Sequence, residues 1–322
     1  DNVLEIVDPV GRTAFEYGYD LRDNRLCIKS IDAGLRTALQ DAAGNLVERR
    51  DSKGSIALHR YDARNRLTHL WARDEPAASR VTLREKRLYG DGYAEIAELD
   101  ETTAQDRNLL GRLFQHYDEA GLLRFDTYDF KGNLTQKTRR VIKDEALSPD
   151  WTANWEPTDA EDELADHRYR IDIAFDALNR PIRTVYPRDV DGQRAVLELT
   201  YDRAGQLEAV SLGGTPYVEQ LAYNARGQRT FIARGNGLMT RYAYDPQTFR
   251  LARMRTEAYR HPPGGDTDTW GGEGHPIQDL TYTYDLVGDI LEIHETAPGT
   301  GITNASPDEL IRAFDYDPLY RL

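Results

Sequence analysis

The chain has 322 residues but only one cysteine, Cys27, and two methionines. A lone cysteine excludes an internal disulfide and reads as a small core residue. No apolar run approaches the ~20 residues of a membrane-spanning helix. Nor does a basic start followed by an apolar stretch mark a signal peptide. Positive charge is also short: 41 Lys and Arg against 55 Asp and Glu leave a formal net charge of −14. Nucleic-acid binders show a basic patch or stripe, and the one local basic run, Lys137-Thr138-Arg139-Arg140, reads as a solvated strand end. The seven histidines are scattered singly, without metal-ligand spacing, so His116 and His167 read as strand-face residues. No Gly-x-Ser-x-Gly elbow or phosphate loop is present, and no cofactor is implied. Carboxylate pairs are so frequent that none marks a glycosidase dyad.

What the chain does have is a recurring phrase, Tyr-Asp-x-x-Gly-x-Leu. It occurs at Tyr117-Asp118-Glu119-Ala120-Gly121 and, eleven residues on, at Tyr128-Asp129-Phe130-Lys131-Gly132. It returns at Tyr201-Asp202-Arg203-Ala204-Gly205 and at Tyr284-Asp285-Leu286-Val287-Gly288. The parts suit a β-hairpin. Tyr packs well at a strand end. Asp opens a type I turn by accepting from the backbone two residues on. Gly supplies the left-handed residue of a bulged hairpin.

Substitutions within the phrase follow the same logic. Asn takes the Gly slot in Tyr61-Asp62-Ala63-Arg64-Asn65 and Phe175-Asp176-Ala177-Leu178-Asn179, and Asn tolerates that conformation best after Gly. In Tyr223-Asn224-Ala225-Arg226-Gly227, Asn replaces Asp. Weaker copies begin at Asp8, Asp41 and Asp51. Around Asp20-Leu21-Arg22-Asp23-Asn24 the turn is expected to be one residue longer. At Tyr244-Asp245-Pro246 and Tyr316-Asp317-Pro318, where Thr248 and Tyr320 fill the Gly slot, a hairpin is expected without the bulge. A catalytic motif would not drift in this way, so the Tyr-Asp pair specifies a turn.

Mean hydropathy is −0.68 and 30% of residues are charged, yet 19 Tyr and strong strand patterning argue against disorder. The pattern predicts an all-β chain of repeated hairpins in a curved, spiralling sheet over residues 1–322. Three irregular insertions interrupt it. Residues 91–110 hold a short helical candidate, Ala94-Glu95-Ile96-Ala97-Glu98-Leu99. Residues 143–168 hold Trp151, Trp155 and an acidic run, Asp159 to Asp166, of helix-forming composition. Residues 260–278, rich in Gly and Pro and carrying Trp270, read as a long loop. Trp151, Trp155 and Trp270 are the candidate partner contacts, against the alternative that they pack the insertions onto the sheet.

These phrases resemble the YD-repeat (Rhs) family. Tyr61 to Trp71, Tyr128 to Leu134, Phe175 to Pro181 and Tyr316 to Leu322 are similar to the B and C components of insecticidal toxin complexes. The resemblance implies hairpins wound into a hollow shell that protects a toxic C-terminal polypeptide. The implied partners are the rest of the shell and the enclosed toxin, with neither nucleic acid nor a membrane span. The implied setting is a bacterial secreted or cell-surface toxin complex, and the segment reads as a piece of a longer chain. Asp8-Pro9-Val10-Gly11 matches the family's self-cleaving protease signature, but at the wrong end, with Val3 and Arg12 off-pattern. It reads as a repeat variant, so no catalytic residue is expected. A teneurin-like adhesion or glycan-binding module is the alternative, and a glycosidase or propeller-type enzyme is disfavoured.

Overall fold

The computed structural model describes residues 2–74, 80–148, 151–157, 159–260, 270–300 and 309–321. The chain forms two compact units, Asp1–Ile173 and Ala174–Leu322. Both are built almost entirely of antiparallel strands joined to their sequence neighbours.

The first unit begins with β1 (Glu5–Val7), β2 (Thr13–Tyr19), β3 (Arg25–Ser30), β4 (Gly34–Gln40), β5 (Leu46–Arg50) and β6 (Ile56–Tyr61). It continues with β7 (Leu67–Arg73), β8 (Thr82–Tyr89), β9 (Leu113–Asp118), β10 (Gly121–Tyr128), β11 (Leu134–Val141) and β12 (Tyr169–Phe175), which runs into the second unit. Each strand pairs with the next, from β1–β2 through β11–β12. In this unit hydrophobic side chains are gathered under the insertions. Leu83, Tyr117, Leu122, Ile142, Trp155 and Leu164 form one cluster, and Ile96, Leu99, Ala104, Leu109 and Phe114 form another. Each fully buried Leu or Phe there contributes roughly 1.5–3 kcal/mol.

The second unit holds β13 (Pro181–Arg188), β14 (Arg194–Tyr201), β15 (Leu207–Leu212), β16 (Thr215–Tyr223) and β17 (Arg229–Arg234). It closes with β18 (Leu238–Tyr244), β19 (Leu251–Arg260), β20 (Gly271–Tyr284), β21 (Ile290–Glu295) and β22 (Leu310–Ala313). Pairing again runs in order from β13–β14 to β21–β22. Its buried positions mix apolar residues (Leu221, Ile232, Met239, Leu280) with charged ones (Glu257, Asp279, Glu295). Two of these carboxylates are matched by guanidinium groups, Arg241 and Arg255 reaching Glu257 at 2.7 and 2.8 Å and Arg253 reaching Asp279 at 2.6 Å, while Glu295 accepts the Asp279 N–H at 2.7 Å. Buried charge persists because it is paired.

The insertions differ in part from the sequence expectation. Residues 94–99 are not an α-helix. A 3₁₀ segment, Gly90–Glu95, covers only the first two of them, and the helix α1 is Glu101–Asp106. Its start is set by Asp100, whose side chain accepts from the Thr103 N–H at 2.7 Å, a cap worth about 1 kcal/mol. The acidic run forms only one 3₁₀ turn, Ala160–Glu163. Like charges crowded at helical spacing oppose anything longer. The stretch 260–278 is not a long loop throughout, because β20 already begins at Gly271; Pro262-Pro263-Gly264-Gly265 lies outside the described residues. Cys27 is only half-buried, on β3, so it is not a core residue.

Candidate functional site

The repeated turn is a closed hydrogen-bond unit. In the Asp62 turn, the Asn65 N–H donates to the Asp62 carbonyl and the Asp62 N–H donates to the Arg66 carbonyl, both at 3.0 Å. The Asp62 carboxylate accepts from the N–H groups of Arg64 and Arg66 at 2.8 and 2.9 Å. Asp129, Asp176 and Asp317 repeat this double acceptance at 2.8–3.0 Å, as does the amide oxygen of Asn224 at 3.0 Å. Asp202 accepts from the Gln206 N–H at 2.8 Å, and Asp285 accepts from Gly288 and Asp289 at 2.6 and 2.8 Å. The left-handed slot is filled at Asn65 (φ 60°), Gly132 (98°), Asn179 (63°), Gly205 (87°), Gly227 (77°) and Gly288 (124°). The ladder register slips where each turn meets the Tyr, as at Tyr61, Tyr128, Tyr201, Tyr223, Tyr244 and Tyr284. That slip is the bulge.

Three turns correct the sequence expectation. Asp20 makes a turn of ordinary length, with Asp23 in the left-handed slot at φ 63°. Tyr320 adopts φ 60°, so the Asp317 turn keeps its left-handed residue. Asp245 opens the longer turn: Phe249 is left-handed at φ 59°, and the Asp245 N–H donates to Arg250 rather than one residue earlier. Pro246 pre-sets the first bend, and Thr248 donates both its N–H and its hydroxyl to the Asp245 carboxylate.

A second regularity was not read from the sequence. The Tyr hydroxyl donates to the carbonyl of the first residue of the preceding strand, where the previous turn ends. Tyr61 reaches Leu46 at 3.0 Å, Tyr128 reaches Leu113 at 2.9 Å and Tyr201 reaches Pro181 at 2.9 Å. Tyr244 reaches Arg229 at 2.9 Å, Tyr284 reaches Leu251 at 2.9 Å and Tyr316 reaches Ile290 at 3.1 Å. Tyr89, which lacks a following Asp, does the same to Leu67 at 3.1 Å. Each phenol therefore ties one turn to the next at about 1 kcal/mol net. A residue just after the turn adds a cation–π contact: Arg66 lies 4.0 Å over Tyr89, and Arg180 lies 4.3 Å over Tyr201. The same guanidinium groups hold Asp62 and Asp176 at 2.7 Å. The signal was the Arg that follows Asn in Asp-x-x-Asn-Arg.

Tyr117-Asp118-Gly121 departs from this scheme. Strand direction alternates, so a copy eleven residues from Tyr128 lies at the other end of the strands. Gly121 pairs directly with Asp118 across a two-residue turn, and the expected bulge is absent. Gly121 has φ 121°, and a Cβ there would lie 2.3 Å from the Arg140 carbonyl oxygen, so β11 can approach only a glycine. Asp118 is gripped by Arg139 (2.9 Å), and Tyr117 donates to Glu161. Burial, and then the Glu161 carboxylate, push the Tyr117 phenol above its usual range.

The tryptophans are engaged within their own units. Trp155 is buried, 5% exposed, so the expectation of an exposed partner contact is corrected there. Its backbone N–H donates to the Leu83 carbonyl at 3.0 Å, and its indole N–H donates to the Asp118 carbonyl at 3.2 Å. Asn154 accepts from the Leu83 N–H at 3.3 Å, so residues 154–155 satisfy β8 where β9 has ended. Trp151 is half-buried and donates to Glu163 at 3.2 Å. Trp270 is half-buried between Phe231 and Tyr259, with ring centroids 5.5 and 4.8 Å away. Among the described residues, no group of three His, Cys, Asp or Glu could hold a metal ion.

No family model matches the chain. Two curated relatives do: toxin subunits YenC2 and YenC1 of Yersinia entomophaga, 30% and 28% identical over 96% and 91% of this chain. The solved structures of TcdB2-TccC3-Cdc42 and TcdB2-TccC3 share its fold across 96% of its length, with TM-scores of 0.77 and 0.76 and identities of 27% and 28%. The chain is a homologue of these toxin-complex subunits, consistent with a YD-repeat protein. The Photorhabdus luminescens Tc holotoxin pore contains a similar chain, with a TM-score of 0.75 and 28% identity.

This YD-repeat chain spans 32% and 28% of the length of the two curated relatives, and about 14% of the solved chains. Its Tyr-Asp pairs sit at turns, as a repeat-built wall requires. Asp8, the head of the protease-like phrase, makes an ordinary repeat turn: its carboxylate accepts from the Val10 and Arg12 N–H groups at 3.0 and 2.9 Å. Among the described residues, no helix is long and apolar enough to cross a membrane.

Proposed function

We propose that this YD-repeat chain is a non-enzymatic wall segment of a hollow shell that encloses a toxic C-terminal polypeptide until delivery. The supporting observation is the unbroken order of antiparallel pairing in each unit, with the Asp of the phrase engaged in its turn in copy after copy. Among the described residues, the turn Asp carboxylates accept one or two backbone N–H groups and most of the Tyr hydroxyls cap carbonyls, which accounts for the phrase structurally. Strand edges within each unit are covered by the next hairpin, which removes aggregation-prone edges. The partners in this reading are the remaining shell repeats and the enclosed polypeptide, and the setting is a secreted or surface-borne bacterial toxin complex. The glycan-binding alternative has less support, since Trp155 is buried and Trp151 and Trp270 are half-buried.

The test is protection. The parent polypeptide is assembled with its partner subunits and treated with protease, and survival of the C-terminal segment is followed over time. Survival in the assembled particle, with rapid loss once Trp155→Ala opens the wall, supports the reading. Equal digestion with and without this segment sinks it, as does hydrolytic turnover of any substrate by the purified chain.

A further inference from the structure

Arg36 and Arg49 are notable for their placement: both are exposed, and they share one face of the sheet. On the face shared by β3 to β7, Arg36 lies opposite Ile28, and the row Ala38–Arg49–Ala57–Ala72 runs straight across four strands. Arg36 and Arg49 are exposed, and together they line two adjoining concavities of about 360 and 290 Å³. Neither makes a hydrogen bond or ion pair among the described residues. Nearby, Arg50 is held by Glu48 at 2.5 Å. Arg73, which lines the smaller concavity, donates to the Gly54 carbonyl at 3.0 Å while its buried Nε has no partner. Arg73 follows Ala72 and so lies on the other face, which leaves Arg36 and Arg49 beside the alanine row, with Asp51 and Asp74 at the rim of the smaller concavity.

We propose that this face binds an extended acidic polypeptide segment, with Arg36 and Arg49 each taking a carboxylate. Arg36 and Arg49 are diagonal neighbours on adjacent strands, a relation that places Cβ atoms roughly 7–8 Å apart. An extended peptide sets side chains i and i+2 on one side about 6.6 Å apart, which matches. The small side chains of Ala38, Ala57 and Ala72 let its backbone approach closely. Guanidinium forks grip carboxylates bidentately, so spacing and geometry both select alternating Asp or Glu. The inference goes beyond the shell reading and stands on this face alone.

The experiment uses the full chain and two fluorescent twelve-residue peptides, one alternating Glu with Ser and the other Lys with Ser. Fluorescence anisotropy at low and high salt reads binding. Preferential binding of the acidic peptide is expected. The double variant Arg36→Ala/Arg49→Ala should weaken it at least tenfold while the thermal midpoint stays unchanged, because neither side chain supports the fold. Arg12→Ala, a surface arginine elsewhere, should leave affinity unaltered. Unchanged affinity in the double variant overturns the proposal, and so does equal binding of the Lys peptide. Tighter binding of single-stranded DNA than of the acidic peptide also overturns it, since the face would then select phosphates.

Discussion

Tyr117 and Tyr128 head the same phrase eleven residues apart, yet the two copies do opposite work. The Tyr128 hydroxyl caps the Leu113 carbonyl, and Asp129 closes an exposed turn with Gly132 in its left-handed slot. Tyr117 is buried and donates to Glu161, Asp118 is clamped by Arg139, and Gly121 leaves room for a carbonyl rather than making a bulge. One strand separates the copies, which reverses the end of the sheet at which each lies. At the usual end the phrase meets the preceding turn; at the other it meets the 143–168 insertion. The lesson is that the phrase specifies a hairpin, while its surroundings decide which bonds the hairpin completes.

Lowering the pH is expected to disturb this comparison most, because it acts on many turns at once. The Asn133 side-chain amide, with backbone N–H groups, holds the Asp129 carboxyl below its ordinary range, and similar bonds do so at Asp41, Asp176, Asp285 and Asp317. A depressed folded pKa contributes stability that is full above the unfolded value of about 3.9 and is lost as pH falls through the folded values. Circular dichroism should therefore show the thermal midpoint steady from neutral pH down to about 5 and dropping below about 4. Asp118 is depressed in a different setting: burial raises it, and the Arg139 guanidinium together with the Ala120 N–H more than offsets that. In Arg139→Ala, carboxyl NMR titration should show Asp118 moving upward while Asp129 stays in place.

Trp155→Ala should be the largest single-site effect, about 3–5 kcal/mol by chemical denaturation, since it empties the cluster beneath the Tyr117 hairpin. A loss below 1 kcal/mol would mean that the insertion does not hold the hairpin. Tyr117→Phe should cost roughly 1.5–3 kcal/mol, because the acceptor is a carboxylate, against about 1 kcal/mol for Tyr128→Phe with its neutral carbonyl. Equal losses would erase the distinction between the copies. Asn65→Gly and Asn179→Gly should change stability by no more than about 0.5 kcal/mol, since both residue types accept the left-handed slot. A thermal midpoint within a degree or two of the parent is the expected readout.

The hairpin unit was legible because its requirements are local. An Asp side chain that reaches two residues on, and a Gly or Asn that accepts positive φ, leave their mark within five positions. The bond from each Tyr hydroxyl to a carbonyl 15 to 33 residues away was not legible as a partner choice. It depends on which turn lies beside it, and so on the order of strand pairing. The insertions were the least legible. Ala94–Leu99 has helix-forming residues, but the helix starts at Glu101, where Asp100 can cap it and Ala104 can be buried. The two-residue Tyr117 turn was missed because its letters match the bulged copies; only the close passage of β11 distinguishes it.

The sequence by itself determined the all-β class, the turn positions and the family, since turn chemistry and strand alternation are written over a few neighbouring residues. The tertiary structure alone decided that Trp155 is a buried peg, that Tyr117 serves the insertion instead of the repeat, and that Arg36 and Arg49 share a face without partners. The physical reason is range. A turn is specified by groups that are always close along the chain, whereas burial and side-chain pairing across a sheet depend on distant residues that only strand register brings together.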